Sequence, residues 1–154
     1  VIDPSLDSPD RTLTAAEVEL GTELPVVRFP LTVYRLVMWA GAGRDFNSIH
    51  HNTEWARATG APEMYANFGF LVGGWERAVR EWAGPGAFVS SVRGFRMRRF
   101  NIAGETISVL GTVSAVDSDG TVTVEMHTED AAGVTVGPGQ ILVRLPPAAS
   151  PGDF

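Results

Sequence analysis

The 154 residues contain no cysteine and no lysine. The first absence excludes disulfide frameworks, cysteine-ligated zinc or iron–sulfur centres and thiol nucleophiles. The second excludes Schiff-base chemistry, P-loop lysines and Ser–Lys dyads, since all twelve cations are arginine. Long apolar runs are missing as well; none reaches the roughly 18 residues that suggest a membrane-spanning helix. Positive charge is in deficit, twelve cations against eighteen anions for a net charge of −6, which argues against nucleic acid as the main partner. No basic segment followed by an apolar stretch opens the chain, so a cytoplasmic location without a secretory leader is expected. What is present is a globular composition, 44% hydrophobic and 19% charged, at a length that fits one domain with its own core.

The pattern along the chain predicts an N-terminal arm over 1–24, one domain over 25–146 and a flexible tail over 147–154. Thr14 is placed to cap a short turn over Ala15-Ala16-Glu17. Residues 24–33 are β-rich but carry Pro25 and Pro30, which predicts an edge strand or a bent one. A short helix is expected at about 32–41, ending at Gly41 and Gly43. A second is expected after Asn52 or Thr53, stopping at Gly60. Residues 67–83 carry the strongest helical signal. Phe68, Leu71, Val72, Trp75, Ala78, Val79 and Trp82 follow the i, i+3, i+4, i+7 spacing, Asn67 is placed to cap them, and Gly84-Pro85-Gly86 ends them. Glycines at 69, 73 and 74 each cost about 1 kcal/mol relative to Ala inside a helix. They imply a close approach to this backbone, by a surrounding sheet or by a ligand at the first turn.

After residue 86 the period becomes two. Strands are predicted near 87–99, 104–116, 121–130 and 134–145, with Asp119-Gly120 as a strong hairpin signal. Read as a four-stranded antiparallel meander beside one long helix, the chain is α+β, with a sheet wrapped around a central helix to bury its apolar face.

The chemistry-bearing residues concentrate at 45–50, where Asp45, Asn47 and His50 fall within one polar stretch. A histidine exchanges protons near neutral pH, an aspartate can take one from water, and an asparagine offers both a donor and an acceptor. On a straight helix, five residues rotate about 140°, so Asp45 and His50 converge only if the chain bends at Asn47-Ser48. The same residues also make sense as a turn cap and an ordinary hydrogen-bonded histidine. His51 and His127 have no carboxylates at metal-ligand spacing, and no Gly-x-Ser-x-Gly elbow surrounds Ser48, Ser90 or Ser91. Trp39, Trp55, Trp75 and Trp82 read as core or interface.

The run Arg44-Asp45-Phe46-Asn47-Ser48-Ile49-His50, with Ala56 six residues on, resembles the motif of the MaoC-like (R)-specific enoyl-CoA hydratase family. That motif reads Gly-Asp-x-Asn-Pro-aliphatic-His followed by a small residue. Asp45, Asn47, Ile49, His50 and Ala56 match it, while Arg44 and Ser48 replace its glycine and proline. The likeness spans roughly residues 35–145. Within the family it is stronger to the small hydratase subunits acting on steroid side-chain enoyl-CoA thioesters in actinobacteria. Arg44-Asp45-Phe46, His50-His51 and Trp82-Ala83-Gly84-Pro85 correspond to these subunits.

The resemblance implies the hotdog fold and the reversible hydration of 2-enoyl-CoA to 3-hydroxyacyl-CoA. Asp45 and His50 would hold the water, Asn47 would orient it, and a backbone N–H of Phe68 or Gly69 beside Asn67 would steady the thioester oxygen. It implies no cofactor other than the coenzyme A thioester substrate and no metal. It also implies pairing with a second hotdog chain, as a homodimer or a heteromer. Arg93, Arg96, Arg98 and Arg99 suit the phosphates of CoA and suit an exposed strand end equally well. Two competing functions remain open: a hotdog acyl-CoA thioesterase, for which Glu63 is the nearest other carboxylate, and a non-catalytic partner subunit.

Overall fold

The computed structural model describes residues 11–147. The expectations for residues 1–10 of the arm and 148–154 of the tail lie outside the described residues. Five antiparallel strands form one sheet. They are β1 (Val27–Pro30), β2 (Phe88–Arg93), β3 (Thr106–Val116), β4 (Thr121–Asp130) and β5 (Gly133–Arg144), in the spatial order β1-β3-β4-β5-β2. Three helices accompany them: α1 (Val33–Ala42), α2 (Thr53–Ala58) and the long α3 (Phe68–Ala83). The sheet curls around α3 in the expected hotdog arrangement. No described helix is long and apolar enough to cross a membrane.

The expectation of a four-strand meander is corrected. β3, β4 and β5 do meander, but β2 crosses to the far edge and pairs with β5, Val89 opposite Val143 and Val92 opposite Ile141. β2 is also shorter than expected and ends at Arg93. Gly94 turns with φ +64° where it meets Gly139; a Cβ on Gly139 would stand 2.5 Å from Arg93 O. The chain beyond is held as a loop, with Arg98 N donating to Thr135 O at 2.8 Å.

Alternation along β3 and β4 buries Ile107, Val109 and Val113 on one strand and Val122, Val124 and Met126 on the next. They pack with Val136, Ile141 and Val143 of β5 against Leu71, Trp75, Ala78 and Val79 of α3. Each of the valine, leucine, isoleucine and methionine side chains contributes about 1.5–3 kcal/mol by leaving water. Gly74 lies at this seam, where a Cβ would make ordinary contact, 3.4 Å from the Phe29 ring and 3.6 Å from Val109.

β1 is an edge strand, consistent with its prolines, and pairs Phe29 with Ile107. Residues 11–24 lie against the domain. Leu13 N donates to Ala83 O at 2.8 Å, and Leu24 N to Gly111 O at 2.9 Å. Thr14 and Glu17 bracket the expected turn, Glu17 Oε2 accepting from Thr14 N at 2.8 Å.

Candidate active site

The polar cluster is delivered by the way α1 ends. Thr32 caps its start, accepting from Arg35 N at 3.1 Å. At its end Arg44 N donates to Gly41 O at 3.2 Å and Asp45 N to Ala40 O at 3.0 Å, the paired bonds of a Schellman stop. That stop needs a left-handed residue, and Arg44 supplies it at φ +53°. A side chain there costs about 1–2 kcal/mol. The family motif has glycine at this position, and the structure gives the physical reason.

The bend required between Asp45 and His50 is present. Asn47 N donates to Asp45 Oδ1 at 3.4 Å, and Asn47 Oδ1 accepts from Ile49 N at 3.3 Å. This caps a single 3-10 turn over Ser48–His50. The turn carries His50 inward until it is 8% exposed. Its Nδ1 donates to Tyr65 O at 2.8 Å, because a carbonyl can only accept. A neutral imidazole therefore keeps its lone pair on Nε2. That nitrogen stands 3.4 Å from Asp45 Oδ2, whose side chain is 39% exposed.

Asn67 joins the two halves of the site. Its Oδ1 accepts from Phe70 N at 2.8 Å, capping α3. Its Nδ2 donates to Asp45 Oδ2 at 2.9 Å. The dyad thus sits at the positive end of a 16-residue helix. Among the described residues, Phe68 N–H and Gly69 N–H have no hydrogen-bond acceptor, as expected for a first turn.

This arrangement has a definite chemical capacity. Neutral Nε2 and an ionised carboxylate both accept hydrogen bonds. A group that bridges both from the side must offer two protons, which is what water does.

Asp45, His50, Asn67, Phe68 and Gly69 are all brought to this end of α3. Asn47 touches Asp45 through its backbone N–H, while its side chain shapes the turn. Two features went unread in the sequence. One is the Tyr65 carbonyl that fixes the imidazole, a main-chain acceptor with no side-chain signature. The other is the reach of Asn67 to Asp45, hidden behind its evident role as a cap.

Glu63 is otherwise engaged. It accepts from the Thr53 hydroxyl and from Met64 N at 2.9 Å, and it pairs with Arg57 at 3.3 Å. The two hydrogen bonds, from Thr53 first, hold its carboxyl below the ordinary glutamate range. Of the four clustered arginines only Arg93 lies on β2. Arg98 donates to Gly137 O, and Arg99 pairs with Asp130 at 2.5 Å, so both brace the β2–β3 crossover. His51 Nε2 stands 3.2 Å from Phe46 O, and His127 lies 3.7 Å from Glu129.

No family model matches the chain. It is 32% identical over 114 residues to the 3-oxo-4,17-pregnadiene-20-carboxyl-CoA hydratase beta subunit of Mycobacterium tuberculosis, covering 74% of this chain and 87% of that one. Its fold superposes on a chain of the ChsH1–ChsH2 complex from the same organism with a TM-score of 0.78 and 30% identity, over 83% of this chain and 98% of that one. A MaoC-like dehydratase matches with a TM-score of 0.77 and 26% identity, over 88% of this chain and 43% of that one. With the hotdog sheet, the Asp-x-Asn-x-aliphatic-His run and a curated relative matched over most of both chains, the chain belongs to the MaoC-like hydratase family.

Proposed function

We propose that this chain is a hydratase subunit that adds water across the double bond of a 2-enoyl-CoA thioester, and removes it in reverse. The observation that carries this reading is His50 Nε2 standing 3.4 Å from Asp45 Oδ2 at the tip of α3. A water held by both groups bonds through its oxygen to Cβ. The π electrons move through Cα onto the thioester oxygen, giving an enolate. The water's proton passes to the dyad, and the dyad returns a proton to Cα. Asp45 stays oriented by Asn67 Nδ2 and by the Asn47 N–H. The enolate oxygen is met by Phe68 or Gly69 N–H, where free donors and the helix dipole favour negative charge.

The partner is a second hotdog chain that completes the acyl pocket. Exposed Phe46 and Phe68, next in sequence to Asp45 and Asn67, support a covered rim at this end. The printed descriptions of the relatives, a beta subunit and a two-component complex, support a heteromer over a homodimer. The same relative supports a steroid side-chain thioester as the substrate class.

The test supplies 2-enoyl-CoA to the purified chain, alone and with its co-expressed partner, and follows the products. Formation of 3-hydroxyacyl-CoA is expected. Release of free CoA would instead make the protein a thioesterase, and no product in either preparation would leave a non-catalytic partner subunit. Asp45→Asn and His50→Ala are each expected to lower the rate about 10²–10⁴-fold. If either leaves hydration within a few-fold of wild type, the dyad assignment is lost.

A further inference from the structure

The carbonyl that fixes His50 belongs to a short stretch held by main-chain bonds. Tyr65 N donates to Ile49 O at 3.4 Å, which ties the stretch to the turn that carries His50. It also bridges residues 101–103. Tyr65 pairs with Ile102, Ala66 N donates to Asn101 O at 2.9 Å, and Ala103 N donates to Met64 O at 2.8 Å. The carbonyl is therefore placed by backbone, whatever side chain stands at 65.

The Tyr65 side chain makes a separate contact. Its ring lies edge-on against the His50 imidazole, with centroids 5.2 Å apart and planes at 82°. The same ring packs against Phe100, centroids 4.7 Å apart. Both rings line a cleft of about 620 Å³ with Met97, Asn101 and Ile102, and Phe100 is 44% exposed. The tyrosine is thus backed by one aromatic side chain at the edge of an open cleft. Burial alone pushes its phenol upward, with no hydrogen bond contributing, so the position is filled for its ring and not for its hydroxyl.

We infer that the Tyr65 side chain is a positioning residue for His50: its ring, backed by Phe100, stops the imidazole from turning about the Cβ–Cγ bond and keeps Nε2 toward Asp45. The inference rests on the hydratase reading for the task of that nitrogen. In free neutral histidine the proton favours Nε2, so the fold must hold it on Nδ1, and the hydrogen bond a ring nitrogen makes decides which form is present. The bond to Tyr65 O does so only while Nδ1 points at the carbonyl. A turn of the ring breaks that bond, strands a buried N–H and carries the Nε2 lone pair away from Asp45. An aromatic ring set edge-on to the imidazole stands in the way of that turn.

The test reads the tautomer and the rate together, on the protein with its co-purified partner. Imidazole ¹⁵N spectra, taken where the ring is neutral and assigned by the signal lost in His50→Ala, are expected to show wild-type His50 protonated on Nδ1. Tyr65→Phe is expected to keep that spectrum and the wild-type kcat. Tyr65→Leu keeps the carbonyl and apolar bulk. It is expected to show averaged nitrogen signals and a kcat for 2-enoyl-CoA about tenfold lower, the upper end of what an aromatic pair contributes, with KM within about twofold. Phe100→Ala is expected to act in the same direction by about threefold, and to add nothing on top of Tyr65→Leu. A ring that only packs would lower thermal stability in these variants and leave tautomer and kcat unchanged. A wild-type His50 protonated on Nε2, a wild-type tautomer kept by both Tyr65→Leu and Phe100→Ala, or a tautomer lost in Tyr65→Phe overturns the inference. Should Tyr65→Leu not fold, Phe100→Ala decides alone. The tautomer is read without turnover, so a failure of the hydratase reading shows separately, as the absence of 3-hydroxyacyl-CoA from the wild-type protein.

Discussion

The two halves of α3 belong to one helix and are held in opposite ways. The first, from Phe68 to Gly74, carries three glycines, an exposed Phe68 and a capping side chain shared with a catalytic candidate. The second, from Trp75 to Ala83, buries Trp75, Ala78, Val79 and Ala83 almost completely. It covers its outer side with Glu76–Arg80 and Arg77–Glu81 pairs at 2.9 and 2.5 Å. Glycine lowers intrinsic helicity by about 1 kcal/mol per residue, so the first half, which buries Leu71 and Gly74, leans on the second, which buries Trp75, Ala78, Val79 and Ala83. The difference shows how one helix can leave its backbone approachable at one end and remain anchored at the other.

The comparison breaks most visibly at Trp75. Its ring is fully buried against Phe95, centroids 4.7 Å apart, and its N–H donates to the buried Thr128 hydroxyl at 2.8 Å. Trp75→Ala is expected to cost about 3–5 kcal/mol of stability through the cavity it leaves. Trp75→Phe is expected to cost less, mainly through the stranded Thr128 hydroxyl. Urea unfolding midpoints check both. A loss below about 1 kcal/mol for Trp75→Ala would mean that the second half is not the anchor.

Much of this asymmetry was legible in the residue order. The 3.6 period of Phe68 to Trp82, the Asn67 cap and the Gly84 stop define α3 nearly to the residue, because each is a local signal. β3, β4 and β5 were readable for the same reason, through alternation and Asp119-Gly120. The seat of β2 was not readable. Its alternation says only that it is a strand, while its pairing with β5 is decided by the crossover at Gly94 and by the Arg98 and Arg99 contacts to residues some forty positions away. The same holds in the site. Asp45 and His50 were named from spacing and resemblance. The atoms that orient them, the Tyr65 carbonyl and Asn67 Nδ2, come from 15 and 22 residues away.

Asn67 sharpens the comparison, since it does one task for each half of the argument. Asn67→Ala removes the cap, at about 1 kcal/mol, and also removes the donor to Asp45. Asn67→Ser keeps a good capping oxygen but is too short to reach Asp45. Thermal unfolding is therefore expected to separate the two variants, with serine near wild type and alanine below it. Hydration is expected to fall in both by about tenfold, the loss of a charge-assisted hydrogen bond. If serine restores activity along with stability, Asn67 acts on the helix alone and the two tasks are one.

The smallest effect is expected at Glu76. Its pair with Arg80 has the favourable order, acid four residues before base, but both side chains are more than 40% exposed. Such pairs contribute about 0.3–0.5 kcal/mol and fade with salt. Glu76→Gln should therefore shift the unfolding midpoint barely beyond error at low salt and not at all at high salt. Arg80→Ala should cost more, because Arg80 Nη1 also donates to Pro85 O and Ala87 O at 3.2 Å each, tying the end of α3 to the chain that leads into β2. If the two substitutions cost the same, those carbonyl contacts carry nothing, and the second half of the helix is anchored by its apolar face alone.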